Sequence, residues 1–431
     1  GSHIHAKYRD LFLPATEGIS IYMLLSPQPK ILSRHLSMPD ILLFTFAVDL
    51  LFFPILLPVP MPICFIATLA LMLVSRRKID KHSMSWSILG ILAVALSYFN
   101  GIYDYLPNNE LAAERLENTG IILFMLASYP FVKSNIGINF ERILKVLVVY
   151  IYFVGFLALI FLITPELYFQ LRPIWSYGDS VEQFSSLSIL TRYTGIMSDP
   201  NNLAVSTCAI AASILFIDSS NVIKNISIIL VTSIVVIASM STTGFLCLII
   251  VSVSYIFTAP MSPKQKSVLF LVSFISITML LFVVSRTEVF QVAYERFMMS
   301  DADSRFSRWE KVLYLDNWVK TVLIGDGGTI VLQGQDYRPH NGHLHVLLSF
   351  GILAYIAFVS LFFKLKNYRK WKRYIFLVVL FIGFTVNVGI YEYRFAGIWV
   401  ILMSLYDVLD YKAASSPIIE ERDSNRGVSS H

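Results

Sequence analysis

The chain has 431 residues, 56% of them hydrophobic and only 15% charged, with a mean hydropathy of +0.65. That balance excludes an ordinary soluble domain. The net charge of +5 does not point to nucleic acid, because the basic residues gather at the ends of apolar blocks.

The apolar residues fall in blocks of roughly sixteen to twenty-four, long enough to cross a hydrocarbon core of about 30 Å. In lipid, such blocks must be helical to pair their own backbone groups. The expected fold is therefore all-α: a polytopic integral membrane protein with about twelve spans, forming a single helical transmembrane domain over residues 1–410. The chain opens Gly1-Ser2-His3 without methionine, which looks like the remnant of a cleaved tag. No cleavable signal peptide is apparent, so the first span serves as the insertion signal. Cys64, Cys208 and Cys247 all lie inside apolar blocks and suggest neither a disulfide framework nor a thiolate metal site.

In chain order the expected spans are 41–58, 60–75, 85–103, 119–133, 143–164, 201–217, 225–240, 243–259, 267–285, 343–364, 374–390 and 395–410. The Pro58–Pro62 run turns the first apolar stretch into a hairpin, and Ser241-Thr242-Thr243-Gly244 breaks another. Arg76, Arg77, Lys78, Lys81, Lys133, Arg142, Lys145, Lys224, Lys264, Lys266 and the cluster from Lys364 to Arg373 fall on alternate loops. They mark the cytoplasmic side and put both termini there. The opposite loop from Asp104 to Glu117 is net acidic, with Arg115 its one basic residue.

Two outer loops are long, 165–200 and 286–341, and each has room for short amphipathic helices. In the second, Trp309, Val312, Leu313, Val319, Val322 and Leu323 recur at the spacing of an amphipathic helix that lies on the membrane or caps a cavity. The polar tail 411–431 is expected to be cytoplasmic and disordered.

Three polar clusters stand at the outer ends. The first runs from Arg192 through Asp199-Pro200-Asn201-Asn202. Asp199 or Asn201 can cap the next helix, whereas Arg192 needs a counter-charge, either a carboxylate or a phosphate. The second holds Arg305 and Arg308, three apart and able to share a helical face, suited to lipid headgroups or to a diphosphate. The third is Pro339-His340-Asn341-Gly342-His343-Leu344-His345. A histidine at a helix start is held neutral and can accept a proton. His340, His343 and His345 lack a metal-site pattern. Asp301-Ala302-Asp303 is a lone D-x-D that reads as a solvated charge run. Glu392 and Arg394 can pair with each other or contact substrate.

Arg192…Gly195…Asp199-Pro200-Asn201, Arg305 followed by Trp309, Ile324-Gly325-Asp326-Gly327, and His340-Asn341 with Gly351 after ten intervening residues together resemble the bacterial O-antigen ligase and O-antigen polymerase superfamily. The resemblance covers most of the chain from about Leu190 onward and rests on order, spacing and common placement. It implies a GT-C-like membrane glycosyltransferase that uses no metal or cofactor. The donor would be an undecaprenyl-diphosphate-linked oligosaccharide at the periplasmic face of the bacterial inner membrane. The acceptor would be a sugar hydroxyl on another lipid-linked repeat or on the lipid A core. Arg192 and Arg305 would clamp the diphosphate, with Arg308, and His340 would activate or orient the acceptor. Asn201, Asn341, Glu392 and Arg394 are further candidates for contact with diphosphate or glycan. The resemblance leaves room for a length-regulating partner.

Ligases of this superfamily often carry Ser-Arg-Gly where this chain has Ser241-Thr242-Thr243-Gly244. The Asp-Pro-Asn loop is closer to the polymerases, which are the expected class, with the ligase as alternative. A transporter of lipid-linked glycans would need ionisable groups at mid-membrane, and Asp49 is the clearest one in the spans.

Overall fold

The apolar blocks fold as helices wherever the sequence places a span. The computed structural model describes residues 37–415 except 53–61, 76, 78, 106–108, 175–191, 218–220, 259–260, 285–308, 316, 333–334, 364–373 and 387–391. Among the described residues a helix lies within each expected span, and two short ones lie in the long loops. They are α1 (Met38–Leu51), α2 (Ile63–Val74), α3 (Lys81–Tyr105), α4 (Asn109–Ile136), α5 (Phe140–Ile163), α6 (Pro165–Leu171), α7 (Pro200–Ile217), α8 (Val222–Ser239), α9 (Thr242–Thr258), α10 (Pro263–Val284), α11 (Trp318–Leu323), α12 (Gly342–Phe362), α13 (Ile375–Val386) and α14 (Tyr393–Ser415). Among the described residues, 6 helices are long and apolar enough to cross a membrane, in α3, α4, α5, α7, α8 and α12. α2, α9 and α13 are shorter apolar helices. The protein is a helical membrane protein by this measure.

From Met38 onward the chain is one compact unit. Its core is lined by Phe46, Tyr129, Tyr150, Phe161, Tyr193, Phe358 and Trp399. Leucines and phenylalanines at the rim, such as Leu73, Leu92, Phe156 and Phe257, point outward, as lipid-facing positions require.

One end of the bundle is tied by charges. Lys133 of α4 reaches Asp80 at 2.7 Å and Asp407 of α14 at 2.8 Å, and it donates to Ser83 of α3 at 2.9 Å. Tyr129 also donates to Asp407. Asn139, before α5, donates to Asp40 of α1 at 2.6 Å, and Arg77 lies 3.6 Å from the same carboxylate. Burial alone would raise the Asp80 carboxyl, but the bonds from Lys133 and Ser83 outweigh it and hold it below the usual carboxylate range. The start of α1, α3 and α5 and the end of α4 and α14 thus share one face.

The structure departs from the sequence reading in four places. α4 begins ten residues before its expected span, because Arg115 and Asn118 in its first part are buried against a distant loop. α14 runs to Ser415, so residues 411–415 are helical rather than tail, and 416–431 lie outside the described residues. The expected amphipathic helix over 309–323 is two pieces: a turn ending in a 3-10 segment at Val312–Tyr314, then α11. Asn317, with φ −122°, separates them. Finally, the helical fold carries one small antiparallel hairpin, Val331–Leu332 against Gln335–Asp336. Val312, Leu315 and Ile330 from this loop pack with Leu348 of α12 in a second small core.

Candidate active site

At the end opposite the charge ties, the chain enters α7 through a tightly held loop. Asp199 caps α7: its Oδ1 accepts from Asn201 N at 2.7 Å and Asn202 N at 3.0 Å, with Pro200 opening the helix. The capping alternative thus holds for Asp199. Asn201 does something else. Its Oδ1 accepts from Arg192 Nη2 at 3.0 Å and from Ser241 Oγ at 2.8 Å. Arg192 Nε donates to Ser239 O at 3.0 Å, at the carbonyl end of α8. A helix C-terminus carries partial negative charge, so it orients the guanidinium there. Ser241 in turn accepts from Gly244 N at 3.0 Å at the start of α9. The Ser241–Gly244 segment, expected from sequence to break an apolar run and to stand where ligases carry Ser-Arg-Gly, is therefore the third side of an Arg192–Asn201–Ser241 cradle.

Glu392 and Arg394 do not pair with each other, contrary to the simplest expectation. Each holds the loop separately. Glu392 accepts from Ser198 N at 2.9 Å and Asn202 Nδ2 at 3.0 Å, while Arg394 Nη1 donates to Ile196 O. Burial pushes the Glu392 carboxyl up to about 7; Asp199 adds to the rise, and the two hydrogen bonds and Arg394 oppose it. Tyr193 completes the hold, donating from its hydroxyl to Val154 O of α5 at 2.7 Å. Gly195, at φ +57°, lets the loop turn beneath Leu203.

The third cluster opens α12. Asn341 is its N-cap, accepting from Leu344 N at 3.1 Å, so the helix begins at Gly342 and His340 stands one residue outside the cap. His340 is half-buried and adopts φ +49°, an uncommon backbone for a residue other than glycine. The three histidines diverge. His345 Nε2 lies 3.0 Å from Ser349 Oγ, and the His343 ring sits among Tyr355, Phe363, Phe381 and Phe384.

The ten-residue gap from His340 to Gly351 has a backbone explanation. α12 bends at Gly351, with φ 81° and ψ 171°. The bend frees the Leu348 and Ser349 carbonyls, and the Gly325–Gly328 loop takes them. Asp326 N donates to Leu348 O at 3.0 Å; Gly327 N and Gly328 N donate to Ser349 O at 2.9 and 3.1 Å. Ser97 Oγ of α3 adds a bond to Ser349 O at 2.9 Å. Arg115 and Asn118 of α4 grip the same loop. Arg115 Nε donates to Thr329 Oγ1 at 2.9 Å, Arg115 Nη1 to Gly101 O at 2.8 Å, and Asn118 Nδ2 to Gly328 O at 3.1 Å. The glycine motif thus serves as a plug that aims the first half of α12, and with it His340.

The first and third clusters share one end of the bundle, on either side of the last turn of α13. A Cβ on Gly342 would meet Phe384 at 2.3 Å, and one on Gly383 would meet Val205 of α7 at 2.3 Å. No protein-family model and no curated protein matches this chain. Its chemistry must be argued from this geometry.

Of the residues singled out in the sequence, the structure gathers Arg192, Asp199, Asn201, Glu392 and Arg394 around one loop and sets His340 and Asn341 across α13. Arg305, Arg308, Asp301 and Asp303 lie outside the described residues. The sequence names Ser241 and Arg115 without assigning them these contacts, and Ser97, Asn118 and Arg338, which pairs with Glu114 of α4, are site residues it does not single out. A serine three residues before a glycine at the start of an apolar run is a capping pattern, and Arg115 stands alone in an acidic stretch. Those were the available signals.

Proposed function

We propose that this protein is a membrane glycosyltransferase that moves a glycan from an undecaprenyl-diphosphate donor to a sugar hydroxyl, most simply as an O-antigen-type or exopolysaccharide polymerase. The carrying observation is the placement of the Arg192–Asn201–Ser241 cradle and the His340–Asn341 helix start at one end of the bundle. Transfer from a diphosphate needs the leaving group's charge neutralised, and a fixed guanidinium supplies that. It also needs a proton acceptor for the incoming hydroxyl, the role proposed for His340. In this reading Arg305 and Arg308 complete the diphosphate clamp. In this proposal the chain crosses the bacterial inner membrane about twelve times, with both termini cytoplasmic and the active end periplasmic.

The transporter alternative draws on Asp49. Its carboxylate accepts from Cys64 N at 3.0 Å, capping the start of α2 across the first hairpin. A local structural role thus accounts for the residue that raised the transport reading.

Purified protein supplied with an undecaprenyl-diphosphate repeat unit, with and without lipid A core, tests the proposal. A glycan ladder from donor alone supports the polymerase. Product appearing only with the core makes the protein a ligase. No transfer under either condition, from well-folded protein, overturns both.

A further inference from the structure

Arg338 lies two residues before His340, within about 7 Å along an extended chain. The segment that carries it is firmly placed. Tyr337 N donates to Ile330 O at 2.7 Å, and Leu332 and Tyr337 pack against the small core that holds Leu348. Arg338 pairs with Glu114, the neighbour of the Arg115 that grips the plug loop. The pair is not sealed: the Arg338 side chain is 50% exposed and that of Glu114 24%. Arg338 is also within electrostatic reach of the buried His345, so a cation is concentrated at the mouth of α12.

A guanidinium fork accepts a carboxylate or a phosphate in the same geometry, and a diphosphate brings more charge than one carboxylate. We propose that Arg338 is a further diphosphate-binding residue, parked on Glu114 at rest and transferred to the donor's diphosphate when the donor arrives. This rests on the glycosyltransferase reading above. Glu114 then acts as an internal competitor. It keeps the guanidinium oriented between turnovers and yields it to a more highly charged ligand.

The two residues should therefore act in opposite directions on ligand binding. The test uses the full chain in lipid nanodiscs, with inorganic pyrophosphate as probe. Glu114→Gln is expected to tighten pyrophosphate binding roughly threefold to fivefold, the scale of a half-exposed ion pair. Arg338→Gln is expected to weaken it about tenfold, the lower end for a charge-assisted contact. In the double variant the gain from Glu114→Gln disappears. A purely structural clamp would instead make both single variants weaken binding together, alongside a common loss of thermal stability, and that result overturns the proposal. So does a Glu114→Gln gain that survives without Arg338, or an absence of pyrophosphate binding in every form. Arg192→Gln separates the two levels. Binding that depends on Arg338 but not on Arg192 refutes the cradle and keeps Arg338; binding that depends on Arg192 alone does the reverse.

Discussion

Gly351→Ala is the sharpest perturbation available. At φ 81° and ψ 171° the backbone occupies a region that is essentially glycine's own, and forcing a side chain into it costs about 1–3 kcal/mol. The added Cβ would also stand 2.6 Å from Ile324 C and 2.7 Å from both the Ile324 and Leu323 carbonyl oxygens. These are backbone atoms that cannot swing aside, so the Gly325–Gly328 plug must lift. Lifting it loosens the bonds to Leu348 O and Ser349 O, each worth about 0.5–1.5 kcal/mol net. A local loss of at least about 3 kcal/mol follows, which is roughly a 100-fold faster amide exchange at Asp326–Gly328. Hydrogen-exchange mass spectrometry reads this directly. Gly120→Ala is the internal control: no atom lies within 4 Å of its added Cβ, and in mid-helix the change should be neutral or stabilising by up to about 1 kcal/mol. If Gly351→Ala leaves exchange in 326–328 as slow as Gly120→Ala does, the bend is not what holds the plug.

Three further outcomes are expected. Glu392 keeps its proton up to about pH 7 when folded but releases it from its ordinary value of 4.5 when unfolded. Its contribution to stability is therefore complete below pH 4.5 and fades as pH rises to 7, on the order of 3 kcal/mol, and Glu392→Gln should flatten that slope in unfolding measured across the window. Arg192→Lys removes the fork that bridges Ser239 O and Asn201 Oδ1, so glycan transfer should fall at least about tenfold with little change in melting temperature. An unchanged rate would exclude Arg192 from the donor site. Lys133→Met leaves the nearly buried Asp407 without its cation and should destabilise by about 3–5 kcal/mol, whereas Asp80→Asn, at the more exposed partner, should cost far less. Equal drops in melting temperature would count against that division.

The helices were legible because length and apolarity decide them in lipid, and among the described residues a helix lies within each expected span, 6 of them long and apolar enough to cross a membrane. The start of α4 was not legible. Glu114, Arg115 and Asn118 look like a solvated outer loop until the residues that bury them, some two hundred positions later, are in place. Arg192 and Asn201 stood out as a charged cluster, but their partner Ser241 comes from the next helical hairpin, and no local pattern joins them. The His340–Gly351 spacing was visible, while its cause, a bent helix clasped by a glycine loop, is a contact between distant segments. Arg338 carries no local signal, because its partner Glu114 lies in a helix more than two hundred positions earlier.

The glycines that seat α13 carry a consequence for substrate size. Gly342 and Gly383 have no side chain where α12 and α7 press against the end of α13. The close seating of α13 between the two clusters is therefore set by atoms that are missing. A methyl at either position would collide with Phe384 or Val205, so that side chain or the end of α13 must shift. Under the proposed glycosyl transfer, changing these two glycines would alter the reach from leaving group to acceptor while leaving every polar residue of both clusters unaltered.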